Sequence, residues 1–308
     1  MTSAVVFAYH NVGVRCLRVL LARGVRVPLV VTHQDNPNEN IWFGSVSQVA
    51  AEQGIPFITP DDPNARDVVA RIAVLRPDFL FSFYYRLLLK APLLAVPGLG
   101  ALNMHGSLLP KYRGRVPVNW AIIHGETETG TTLHYMTEKP DNGDIVAQTA
   151  VPILPDDTAG EVFDKVTVAA ELTLYHALPG LIAGTAPRIR QDLSRGAYFG
   201  GRKPEDGRIA WSQPATQIHN LVRAVAPPYP GAYTDVGGHR LVVQRTRVVD
   251  AEKRQDAASQ LRYADGHLYA DCGAGTLEIL ACTVDGVPLS PAVFEQQFGA
   301  GAPLPPAD

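Results

Sequence analysis

The chain has 308 residues, 46% of them hydrophobic and 19% charged, enough apolar side chains for a real core and too many for a disordered chain. At roughly 150 residues per domain the length predicts two domains. Lys and Arg number 27 against 30 Asp and Glu, and a net charge of -3 argues against a generally basic nucleic-acid binder.

The elements follow in chain order. Residues 4–9 (AVVFAY) read as a strand buried on both faces. Residues 14–23 carry Leu17, Leu20 and Leu21 at helical spacing, with Gly24 as the stop. A strand at 27–32, a helix at 45–53 ending at Gly54 and a strand at 56–59 come next. Asp62-Pro63 is read as opening a helix that carries Val68, Val69, Ile72 and Leu75. Strands at 79–84 and 100–105, a helix over 119–124, and strands at 130–136 and 145–151 complete the alternation. Such short-linked alternation predicts an α/β domain, a doubly wound, mostly parallel Rossmann-like sheet spanning 1–190.

Thr158-x-x-Glu161 is a capping-box pattern ahead of a helix with Val162, Phe163, Val166, Ala170 and Leu174 on one face. Residues 191–211, at the end of a Gly-, Pro- and Arg-rich stretch, read as a linker. The segment 212–298 opens with a helix holding Ile218, Leu221, Val222 and Val225, then alternates short β-type runs with turns, as a small antiparallel barrel or sandwich would. Residues 299–308 read as a flexible tail.

Several chemistries are disfavoured. The turn His10-Asn11-Val12-Gly13 has one glycine, so the dinucleotide fingerprint is missing, as are the phosphate loop and the nucleophile elbow. Nine histidines lack ligand spacing and three cysteines lack a C-x-x-C, so no metal and a reducing compartment are expected. The N-terminus lacks a signal peptide's basic start and no window reaches ~20 apolar residues, so a cytoplasmic protein without a membrane span is expected.

The informative block runs from Ala101 to Arg115. Strand alternation puts Asn103 and His105 on one face, at the end of a strand where open α/β sheets place ligands. Asn offers an amide donor and His a proton carrier near neutrality. Asp141, in the turn-rich Lys139-Pro140-Asp141-Asn142-Gly143, could reach the same pocket and favour the protonated imidazole. Each of these residues also has a bland reading, as local hydrogen bonding or turn chemistry, and Arg113 and Arg115 as solvated charges.

Asn103-x-His105, Ser107-Leu108-Leu109-Pro110 and Asp141-x-Gly143 together resemble the folate-dependent formyltransferases. FSFYYR at 81–86 and HGSLLPKYRGR at 105–115 are most similar to the formyltransferase domain of ArnA, which formylates UDP-4-amino-4-deoxy-L-arabinose in lipid A modification of the polymyxin-resistance type. The resemblance extends through Asn220-x-x-Arg223-Ala224 and Pro230-Gly231-Ala232 and implies an OB-like C-terminal domain.

It further implies that Asn103 stabilises an oxyanion, that His105 is the acid/base residue and that Asp141 holds the imidazole. The donor would be 10-formyltetrahydrofolate, bound by Leu87, Leu88, Leu89, Arg115, Thr137, Glu138, Lys139, Pro140 and Asp141, with no metal and with direct attack through a tetrahedral intermediate. Tyr84, Tyr85, Arg86, Tyr112, Arg113 and Asn119 are the residues expected at the sugar. Phe199-Gly200-Gly201-Arg202 departs from the family's Phe-Gly-Arg-Arg by one positive charge. Alternatives remain open: another acceptor such as a dTDP-amino sugar, methionyl-tRNA, or folate binding without turnover. From residue 205 onward eight Lys or Arg face twelve Asp or Glu, a poor surface for a polyanion, so no nucleic-acid partner is expected.

Overall fold

A computed structural model describes residues 1–251 and 259–305. The chain divides into two compact units, one of residues 1–117, 128–152 and 163–200 and the other of 118–127, 153–162 and 201–308. The division is discontinuous, whereas the sequence suggests a single cut near 190.

The first unit holds β1 (Ser3–Ala8), α1 (His10–Ala22), β2 (Arg26–Val31), α2 (Val46–Glu52), β3 (Phe57–Ile58), α3 (Arg66–Val74), β4 (Phe79–Phe83), α4 (Ala91–Leu94), β5 (Gly100–His105) and β6 (Arg113–Gly114). After α5 (Pro117–Ile123) follow β7 (Glu128–Tyr135), β8 (Ile145–Pro152), α6 (Ala159–Ile182) and β9 (Tyr198–Phe199). Seven strands form one sheet in the order β3-β2-β1-β4-β5-β7-β8. The first five are parallel, and β7 and β8 turn antiparallel. Every residue of β1 and β4 is buried, as their mostly apolar sequences require, Ser3 and Ser82 included.

Gly24, at φ 74, closes α1 with the bonds that the sequence stop implies, Gly24 N–H to Leu21 and Val25 N–H to Leu20. The helix expected from Asp62 starts four residues later: the Asp62 carboxylate accepts the Asn64 N–H at 2.9 Å and makes a turn of its own, leaving α3 to begin at Arg66.

The supposed linker is structured. Within it β9 pairs in parallel with β6, and just before it Ile189 and Ile145 exchange two backbone hydrogen bonds. Long-range partners of this kind leave no period in a local sequence window, which is why the segment reads as irregular.

The second unit contains α7 (Ala215–Val225), β10 (Ala232–Val236), β11 (His239–Asp250), β12 (Gln260–Ala264), β13 (His267–Asp271), β14 (Thr276–Val284), β15 (Val287–Pro288), α8 (Pro291–Phe298) and β16 (Gly301–Pro303). Its antiparallel sheet runs β10-β11-β14-β13-β12-β16, with β15 on β14, around a core that includes Trp211, Ile218, Val222, Leu261, Leu277 and Phe294. The Thr158–Glu161 capping box forms, Thr158 Oγ1 accepting the Glu161 N–H and Glu161 Oε2 the Thr158 N–H. The expected tail is corrected in part: Gly301–Pro303 adds a strand to β12, while 306–308 lie outside the described residues. Among the described residues no helix is long and apolar enough to cross a membrane, and no group of three His, Cys, Asp or Glu side chains could hold a metal.

Candidate active site

β5 carries Asn103 and His105, and β7 lies antiparallel beside it with Asn103 opposite His134 and His105 opposite Thr132. Period-two alternation therefore presents Asn103, His105 and His134 on one face. Asp141 closes the group from the loop between β7 and β8. Its Oδ1 lies 3.5 Å from both His105 Nδ1 and His134 Nε2, and its Oδ2 accepts the Gly114 N–H at 2.8 Å.

Hydrogen bonds define how each group is held. Both nitrogens of the buried His105 ring face acceptors, Nε2 the Tyr112 carbonyl at 2.8 Å and Nδ1 the Asp141 carboxylate. His134 Nδ1 donates to its neighbour's carbonyl, Tyr135 O, at 2.8 Å, which leaves Nε2 as the acceptor for Asn103 Nδ2 at 3.2 Å. That contact orients the Asn103 amide and uses only one of its two N–H groups.

Burial pushes the Asp141 carboxyl up, but attraction to His105 and the Gly114 N–H oppose it, and the carboxyl is held well below the usual carboxylate range. Asp141 is thus an anion throughout the neutral range.

The other expected residues divide. Tyr84, at φ 57 just past β4, places its hydroxyl against Gly106, where a Cβ would stand 1.9 Å from it. This puts Tyr84 beside the backbone that follows His105. Tyr85 turns away: its ring stacks on His33 at 4.1 Å and meets Phe7 edge-on, and its hydroxyl is buried without a hydrogen-bond partner.

Arg86 pairs with Glu39 at 2.8 Å and covers the Tyr9 ring, and its N–H donates to His33 Nε2. Burial, reinforced by the Arg86 charge, lowers His10 to about 3 and His33 to about 4, so both rings are neutral.

Leu87 and Leu88 are exposed, and Leu89 is packed in the core. Tyr112 is buried, stacks on Phe199 at 5.2 Å and contributes its carbonyl to His105. Arg113 donates to Asn142 Oδ1 at 2.9 Å and the Gly196 carbonyl at 3.0 Å, which ties the loop.

Arg115 has an exposed side chain while its N–H donates to Phe199 O. Thr137, Glu138 and Lys139 are exposed, with Thr137 Oγ1 donating to Lys139 O, and Pro140 is half-buried. Asn119 belongs to the second unit, buried, its amide spent on the Ala224 carbonyl at 2.7 Å.

Sequence reasoning missed His134, although alternation along its strand and its spacing from Asp141 carry the signal. It also missed the Gly114 N–H and the Tyr112 carbonyl, backbone groups that no residue type announces.

The formyl transferase family model matches residues 16–178, and the model of the formyl transferase C-terminal domain matches 202–295. Solved structures of similar fold include the N-formyltransferase of Helicobacter canadensis, in complex with folinic acid and dTDP-3-aminofucose, at TM-score 0.69 and 19% identity over 91% of this chain and 98% of that one. A sugar N-formyltransferase of a Shewanella species follows at TM-score 0.63 and 20% identity, covering 83% and 99%. Glycinamide ribonucleotide transformylase 1 of Symbiobacterium toebii matches at TM-score 0.52 and 21% identity over 61% and 94%. With the first family model covering more than half of its residues, the chain belongs to the formyl transferase family.

Proposed function

We propose that the chain moves a formyl group from 10-formyltetrahydrofolate to the amine of a nucleotide-linked amino sugar, with UDP-4-amino-4-deoxy-L-arabinose as the acceptor. The observation that carries this reading is the closed group of Asn103, His105, His134 and Asp141 on one sheet face. It is supported by the solved relatives of similar fold, one of them bound to folinic acid and a dTDP-amino sugar, and by the FSFYYR and KYRGR segments.

The residues present fit a folate. Leu87 and Leu88 offer exposed apolar surface shortly after β4, the strand beside β5, and residues 137–141 belong to the loop between β7 and β8 that carries Asp141. Bound there, the folate would supply a formyl carbon on a nitrogen that can leave. Asn103 offers its second N–H to the oxygen on which charge develops, a preorganised donor of the kind that contributes most in a water-poor site. With the folate bound, His105 would give a proton to the leaving nitrogen as its bond to the formyl carbon breaks and take one from the attacking amine as the new bond forms, with Asp141 steadying the ring while it is charged. Transfer from Nε2 requires that N–H to leave the Tyr112 carbonyl, whereas Nδ1 is held toward Asp141. Tyr84 is the residue we propose for contact with the acceptor, a reading supported by its hydroxyl lying against Gly106, next to His105.

The test is product mass after incubation with 10-formyltetrahydrofolate and, in parallel, UDP-4-amino-4-deoxy-L-arabinose, a dTDP-amino sugar and methionyl-tRNA. A gain of one formyl group on the first supports the reading. A gain only on the dTDP-sugar or the tRNA moves the acceptor assignment there, and no product with any of them sinks formyl transfer to this set.

A further inference from the structure

We propose that Gln191 is a positioning residue for Asp141, acting by clamping the backbone on both sides of the loop's tip. The proposal rests on the reading that Asp141 serves formyl transfer, and it gives the segment that looks like a linker a part in the reaction.

Gln191 is buried, and its Nε2 donates twice, to the Asp141 carbonyl at 2.9 Å and the Gly143 carbonyl at 2.7 Å. The polarity is fixed by these partners: turned the other way, the amide would set its oxygen against two carbonyl oxygens. Asp141 itself stands at φ 56, a left-handed conformation that a non-glycine residue keeps only where its surroundings impose it. Gly143 sits so close to Tyr135 that a Cβ would lie 1.8 Å from that residue's carbonyl oxygen. The loop is therefore folded tightly back on the end of β7, and the two Gln191 bonds hold the carbonyls on either side of its turn.

Three further ties converge on the same place. Ile189 pairs with Ile145 just past the loop. Arg113 bridges Asn142 Oδ1 and the Gly196 carbonyl. Tyr198 and Phe199 pair with Arg113 and Gly114, and Gly114 in turn donates to the Asp141 carboxylate. Residues 189–199 thus form a strap, and Gln191 is its one side chain bonded directly to the backbone of Asp141.

The experiment uses the full chain with Gln191→Ala and the volume-conserving Gln191→Met, each alone and combined with Asp141→Asn. Either single variant should lower kcat by roughly 10- to 100-fold, the scale of a catalytic group displaced by about 1 Å, with the acceptor KM changed by less than about threefold. In the Asp141→Asn background the same change should cost less than about threefold, because the group being positioned is already gone. Hydrogen exchange at the Gly114 amide, measured without substrate, should be faster in both variants.

A merely structural glutamine would give equal losses in the two backgrounds. That result, or a folded Gln191→Met protein with wild-type kcat and Gly114 protection, overturns the proposal. The exchange measurement separates the two readings: a wild type that formylates none of the acceptors defeats the proposed function, while the clamp still stands or falls on Gly114.

Discussion

Asn103 and His134 face each other in register across β5 and β7, and the Asn103 amide donates to His134 Nε2 at 3.2 Å. The second histidine therefore sets which end of the amide is presented to a substrate. His134→Ala should lower kcat by about 10-fold or more, as loss of a preorganised orientation does, while His134→Gln, which can still accept from Asn103, should recover part of it. Steady-state kinetics of both variants checks this; equal activity in His134→Ala and wild type would remove His134 from the site.

Asn103→Ala should cost roughly 100-fold or more in kcat with little change in KM for the acceptor, since the contact matters most when charge has formed. Single-turnover rates at saturating acceptor measure it directly. A large rise in KM at constant kcat would instead make Asn103 a ground-state binder.

The Asp141 carboxyl is held below its ordinary value in the folded protein, so its contribution to stability is complete above the unfolded value of about 3.9 and is lost as pH falls through the lower folded one. Asp141→Asn should destabilise the protein at pH 7 by about 1–3 kcal/mol, and the gap to wild type should close as pH is taken toward 3 and below. Urea denaturation of the two proteins at a series of pH values would show it. A gap that widens toward acid contradicts the sign.

Gly143→Ala would put a methyl group 1.8 Å from the Tyr135 carbonyl oxygen, a backbone atom that cannot swing aside. The loop must shift, with a cost of about 1–3 kcal/mol and a fall in kcat as Asp141 moves with it. Thermal melting and kinetics on the same preparation test both halves.

Much of this arrangement is legible from residue order alone. The apolar runs at 4–8 and 79–83 are buried throughout, and Asn103, His105 and Asp141 meet as alternation and turn chemistry suggest. What escapes has a common cause. His134 acts through a partner on another strand, Arg113 and Asn119 spend their donors on carbonyls 83 and 105 residues away in sequence, and Gln191 sits in a stretch with no period at all. Residue type shows what a side chain can donate or accept. Which distant backbone group claims it is decided by packing.

The three-residue strand β16, ending in Pro303, lies along β12. Proline lacks an N–H, and so short a rim offers a neighbouring molecule very little to add to. A recombinant form stopped before Gly301 would lay bare the longer, five-residue margin of β12 and take Ala302 and Leu304 out of the core, so it should both self-associate at high concentration and melt lower.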